Sequence, residues 1–266
     1  MVSRGPGDVK RFLGATGVMP DTRSHRGPHP EDGRIFSPRM VPGLQRAVAD
    51  LSWLRTRGYA DHAALKLVGD RFSLTVRQRR AVMRSACTDQ QLSSRRARMV
   101  PLGQLRLSSL AIDAYNLLIT VEAALSGAPL FKGRDGCLRD LAGVHGTYRT
   151  VEETVPALEL IGRFVEGQGL SKVLWLLDSP VSNSGRLRTL IHQTGRAHSW
   201  PWQAELSLSP DAQLIQASGV VASTDSVVLD ACPQWVNLAY EIVRHALPDA
   251  RVIDTGGHPT QDQRPD

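Results

Sequence analysis

KVLWLLD, residues 172–178, is the stretch that decides the fold. It is apolar without alternation, short, and bounded by turn-forming residues. A strand with that pattern is buried on both faces, as in a parallel sheet covered by helices. Two further runs share its character: LRLSSLAID (105–113) and GVVAST (219–224), which leads into Asp225. AELSLS (204–209) and RVID (251–254) are additional candidate strands. Helical periodicity fills the intervals. It is read in NLLITVEAAL (116–125), from the first turn around Pro156 to about Val165, in GRLRTLIHQ (185–193), in PDAQLIQASG (210–219) and in PQWVNLAYEIVRHAL (233–247). The last of these should turn Trp235, Leu238, Ile242 and Leu247 inward. Residues 126–149 read as a long glycine-containing connection. Strands alternating with helices predict an α/β domain over 101–255, with a mostly parallel sheet flanked by helices.

Ahead of this domain the periodicity is purely helical. Leu44, Val48, Leu51 and Leu54 recur at helix spacing, and Gly58 suits a C-terminal cap. Ala63, Ala64, Leu67 and Val68 mark a second helix, and a third follows Thr75. SSRRAR (93–98) reads as a basic link. A small helical module is therefore expected over 41–100, with Trp53 and Tyr59 in its core. A flexible basic arm is expected over 1–40 and a disordered tail over 256–266.

The formal charge of +6 conceals an asymmetry. Residues 1–106 hold 20 Lys and Arg against 8 Asp and Glu, and residues 107–266 hold 12 against 18. A basic front half suits a polyanion, and an acidic back half suits cations. No apolar run approaches the roughly 20 residues of a membrane span. The start, MVSRGPGDVK, lacks the apolar segment of a secretory signal. Cys87, Cys137 and Cys232 form no CxxC pair, which disfavours a zinc site or disulfide framework and fits a cytoplasmic setting. There is no GxxxxGK[ST] phosphate loop, no GxGxxG turn after a strand, and no GxSxG elbow.

The candidate chemistry lies where the apolar strands end. Asp113, Asp178 and Asp225 each follow one, and parallel sheets bind ligands beyond the carboxyl ends of their strands. Carboxylates that converge repel one another unless a cation neutralises them. Hard oxygen donors favour Mg²⁺ or Mn²⁺, ions that orient phosphates and activate water near neutral pH. Asp113, Asp178 and Asp225 are thus the expected metal ligands, and each taken alone is equally an ordinary helix cap. Asn116 would either hold the phosphate or tie down its turn. Asp230, about one helical turn beyond Asp225, and Asp140, in CLRDLAGVHG, are candidate further acids. Arg139 is a nearby partner for Asp140. Glu122 reads as an exposed helix residue, and His145 and His192 as structural or surface residues. Ser182, Asn183, Ser184 and Arg186 stand where a helix start could meet a phosphate. Arg77, Arg80 and Arg84 share one helical face suited to phosphate contacts.

The fragments HPEDGRIF, DLSWLRTRGY, KLVGDRFSLTVRQRRAV, IDAYNLLITVEAALSG, LRDLAGVHGTYR, LDSPVSNSGRL and VVASTDSVVLD resemble a prokaryotic family described as domain of unknown function 434, over about residues 26–240. The family's name implies no activity. The back half is also similar, more distantly, to PIN and NYN ribonuclease-like domains. The matching positions are Asp113 with Asn116, Asp178, and Thr224 with Asp225. That resemblance implies a metal-dependent ribonuclease site, with Asp140 and Glu122 competing for the helix-borne second acid. The expectation is a nuclease that uses Mg²⁺ or Mn²⁺ and binds nucleic acid, chiefly RNA, with no membrane partner; a homodimer is compatible. A non-catalytic RNA-binding or assembly protein and a small phosphate-ester hydrolase are the alternatives.

Overall fold

The computed structural model describes residues 26–142 and 148–257. His145, most of the expected arm and nearly all of the expected tail lie outside the described residues.

The helical module begins earlier than its periodicity suggests. Within the expected arm, a short helix α1 (Asp32–Ile35) precedes α2 (Val41–Thr56), α3 (Asp61–Arg71), α4 (Val76–Ser85) and α5 (Asp89–Arg98). Ile35 and Phe36 are buried in the module's core with Leu44, Val48, Leu51, Val68 and Val82. Helices α4 and α5 both start at a reciprocal cap. Thr75 accepts from the Gln78 backbone and Thr88 from that of Gln91, while each Gln side chain returns to the capping backbone. SSRRAR is therefore helix, not link. Trp53 and Tyr59 are 53% and 55% exposed, and do not build the core. The Trp53 ring instead lies under the Arg57 guanidinium, 3.7 Å away.

Behind the module stands a mixed α/β unit. Its strands β1 (Ser109–Asp113), β4 (Lys172–Asp178), β5 (Trp202–Ser207) and β6 (Val220–Ala222) make a fully parallel sheet in the order β5-β4-β1-β6. The register pairs Asp113 with Leu176, and Ile112 with both Trp175 and Ala222. Helices α6 (Ala114–Leu125), α7 (Thr154–Glu166), α8 (Ser184–Ala197) and α11 (Leu238–Ala246) supply the larger core, which encloses Trp175, Ile112, Leu118 and Ile161. A second cluster, with Val221, Leu176 and Trp235, contains residues of α9 (Pro210–Ile215) and α10 (Ser226–Ala231).

The connection expected over 126–149 contains two strands, β2 (Leu130–Lys132) and β3 (Leu138–Arg139), joined through Gly136 at φ 81°. The RVID strand, β7 (Val252–Asp254), pairs parallel with β2 rather than joining the larger sheet. Phe131 of β2 and Ile253 of β7 belong to the helical module's core, so this small sheet is the seam between the two units. The expected helix 233–247 begins only at Leu238. Residues before it are extended, because Trp235 bridges both Met99 and Val221 and its indole donates to the Arg95 carbonyl. Among the described residues, no helix is long and apolar enough to cross a membrane.

Candidate functional site: an acidic cleft at the carboxyl edge

Strand order reverses between β1 and β6, the position where open α/β sheets form a ligand crevice beyond their strand ends. A cavity of about 320 Å³ opens at this edge. Its walls include Asp113, Asp178, Asp211, Asp225 and Asp140, with Asn116, Tyr115 and Arg84. The structure therefore brings together the three strand-end aspartates, and adds Asp211 from the first turn of α9.

Each acid is positioned by its own strand-to-helix turn. Asp113 caps α6, accepting from the Asn116 backbone at 3.4 Å, and its other oxygen accepts from Ser223 Oγ at 2.8 Å. Asp225 caps α10, accepting from the Val227 backbone at 2.7 Å. The Asp178 carboxylate meets no donor among the described residues, while its backbone carbonyl accepts from the Val181 backbone at 3.2 Å. Capping and convergence on the cleft thus coexist in Asp113 and Asp225. Asn116 takes the structural option: its Oδ1 accepts from the Thr224 backbone at 2.9 Å and from the Thr224 hydroxyl at 2.6 Å, tying α6 to the end of β6.

The electrostatics follow from burial and crowding. Burial pushes the Asp113 carboxyl up to about 7, with Asp225 and Asp211 adding to the rise against the bonds from Ser223 and Asn116. Asp211 is raised by burial and then by Asp225 and Asp178. Burial raises the Tyr115 phenol to about 12, with Asp178 contributing. Asp140 is 7% exposed and its carboxyl is raised by burial, against the pull of Arg84. Its Oδ1 is buried without a hydrogen bond, with Arg84 Nη1 at 3.7 Å. Tyr115 also ends in a buried hydroxyl without a partner. Among the described residues, no group of three or more His, Cys, Asp or Glu is drawn tightly enough to hold a metal ion as it stands.

Other candidates lie elsewhere. Asp230 is not on the cleft wall; it accepts from Arg95 Nε at 2.7 Å and from Gln91 at 2.6 Å. Arg139 does not pair with Asp140. It chelates Asp135 at 2.9 and 2.7 Å and donates to the Thr224 carbonyl at 2.9 Å. Glu122 is fully buried rather than exposed, accepting from Tyr148, Thr154 and Arg26. Ser182, Asn183 and Arg186 are exposed outside the cleft, and Ser184 donates to the Ser179 carbonyl. Asn183 takes a left-handed conformation (φ 69°) and donates to the Tyr148 carbonyl. His192 is structural, its Nε2 3.2 Å from the Ala204 carbonyl. The arginine face of α4 is divided. Arg77 holds buried Asp32, Arg84 reaches the cleft and the Asp140 backbone carbonyl, and Arg80 is exposed.

These features define a two-part protein: a helical module set against an α/β unit whose carboxylates gather at one edge of a parallel sheet. The chain belongs to the family described as "Domain of unknown function (DUF5616)", whose model matches residues 102–241. A second model, "Protein of unknown function (DUF434)", matches residues 43–98. The resemblance to domain of unknown function 434, drawn over about residues 26–240, is thus matched over 43–98, and the α/β unit falls to the other model. The chain is also 27% identical to Uncharacterized protein MJ0935 of Methanocaldococcus jannaschii, over 204 residues covering 77% of this chain and 96% of the relative. No solved structure matches the chain significantly.

Proposed function

We propose that this protein is a metal-dependent nuclease, with a PIN/NYN-like α/β unit and RNA as its favoured substrate. One observation carries the reading: Asp113, Asp178 and Asp225, set by separate strand ends, and Asp211, from the first turn of α9, line a single cleft at the switch point of the sheet. The donor set is all oxygen, which suits Mg²⁺ or Mn²⁺. Asp113, Asp178 and Asp225 would hold the ion, with Asp211 and Asp140 beside them. Loose spacing of the acids fits Mg²⁺ in particular, because that ion commonly takes one or two carboxylates and completes its shell with water and substrate phosphate. The orphaned Asp140 Oδ1 is a further acceptor that a hydrated cation would satisfy.

When bound, the ion would neutralise developing phosphate charge and activate water. The protein's own groups have distinct tasks. Asn116 and Ser223 hold the β1 and β6 ends in register, fixing the Asp113 oxygens. Arg84, from the helical module, brings a guanidinium to the rim of the acids, where an anionic substrate would meet it. The basic surface of the front half would gather the polyanion.

Cleavage of single-stranded and structured RNA with Mn²⁺ tests this reading. Asp113→Asn and Asp178→Asn should each lower the rate by about 100-fold or more, the scale of losing a group that acts on the reacting centre. Unchanged rates in both variants would remove the site. The non-catalytic RNA-binding reading draws on the absence of a tight ligand cluster among the described residues. It expects salt-dependent RNA binding without turnover, and no rise in melting temperature with Mn²⁺.

A further inference from the structure

A second, larger cavity of about 580 Å³ adjoins the acidic cleft and shares Asp140 and Ala142 with it. Its chemistry is the opposite. Arg26, Arg77 and Arg149 line it with His29, over an apolar floor that includes Ala128 and Val151. Two of these guanidiniums are fixed from behind by buried carboxylates. Arg77 donates through Nε and Nη2 to Asp32, and Arg26 donates through Nε to Glu122 and through Nη2 to the Arg149 carbonyl. An arginine carries five N–H donors. Arg77 Nη1 and the exposed Arg149 head have no protein acceptor among the described residues, whereas Arg26 also meets Tyr148. Buried acids behind them remove much of the entropy that a free arginine would lose on binding an anion.

We infer that this cavity is a nucleotide subsite, taking one nucleoside phosphate with its phosphate on the arginines and its base over the apolar floor. Its volume lies within the roughly 300–1,000 Å³ of small-ligand pockets. Apolar walls with a few converging polar groups are what such a ligand requires. A nucleotide seated there lies next to the acids through the common wall at Asp140. The inference deepens the nuclease reading by naming the unit held beside the cleft, yet the cavity can be tested without cleavage.

The test is calorimetric binding of AMP and UMP to the full chain in EDTA, beside inorganic phosphate, adenosine and uridine. A nucleoside monophosphate should bind about tenfold or more tighter than either of its parts, because phosphate and base contacts act together. Arg149→Glu, at an exposed residue whose side chain has no partner among the described residues, should weaken it by about tenfold or more, the scale of a charge-assisted bond. No nucleotide binding at millimolar concentration would overturn the subsite, as would phosphate binding equally well or Arg149→Glu having no effect. Absence of RNA cleavage alongside intact, Arg149-dependent AMP binding would sink only the nuclease reading.

Discussion

Asn116 carries more of the site's geometry than its position in the sequence suggests. Its one amide oxygen receives both the backbone and the hydroxyl of Thr224, so the first turn of α6 is tied to the end of β6 by a single side chain. Asn116→Ala should cost about 1–3 kcal/mol, the penalty for leaving a largely buried donor unmade, as read by urea denaturation. A reading in which Asn116 only touches substrate expects no loss of stability. At this scale the sequence revealed the strand-end acids, because an Asp closing an apolar run is visible as such. Asp211 was hidden, since it stands past a polar-edged strand in SPDAQL and looks like the first turn of a surface helix. Glu122 and Asp135 were hidden for the opposite reason. Charged letters read as surface, and only packing reveals that Tyr148, Thr154 and Arg26 enclose one while Arg95 and Arg139 enclose the other.

Among the elements, α7 depends on a missing side chain. A Cβ on Gly162 would stand 1.9 Å from the Trp200 ring, which packs at a tilt against Trp202, itself against Trp175. Gly162→Ala should therefore destabilise by about 1–3 kcal/mol, despite the better helix propensity of Ala, because the indole has to move. A stabilised variant in urea titration would contradict this packing. The cap of α5 gives a smaller, separable effect. Thr88→Ala should cost about 1 kcal/mol, as measured by the same titration. Strands β1, β4 and β6 were legible because burial on both faces leaves long apolar runs. Strands β2 and β3, of three and two residues, are too short to carry a period. The false start of the last helix has a similar cause: Trp235 fits a helical stripe by spacing, yet it is claimed by bridges on both sides.

Across the whole molecule, the two units are riveted by a buried ion cluster. Asp135 receives Arg95 of α5 and Arg139 of β3, and Arg95 continues to Asp230 of α10. Burial would raise the Asp135 carboxyl, but the guanidiniums of Arg139 and Arg95 outweigh it and hold it at about 2. A depressed carboxylate stabilises the fold above its unfolded value near 4, and that contribution disappears as pH falls toward 2. Melting temperature should accordingly drop between about pH 4 and pH 2. Asp135→Asn should flatten that part of the profile while lowering stability by about 3–5 kcal/mol at neutral pH, the range for breaking a buried pair. An unaltered acid profile in the variant would refute the assignment. Phe131, Leu141 and Ile253, which come from the α/β unit, complete the core of the helical module. A gene shortened to encode only residues 102 onward would thus leave a greasy facet wet and an acid stranded without its arginine. Its product should collect in inclusion bodies, and the two family-matched segments are better inherited together than shuffled apart.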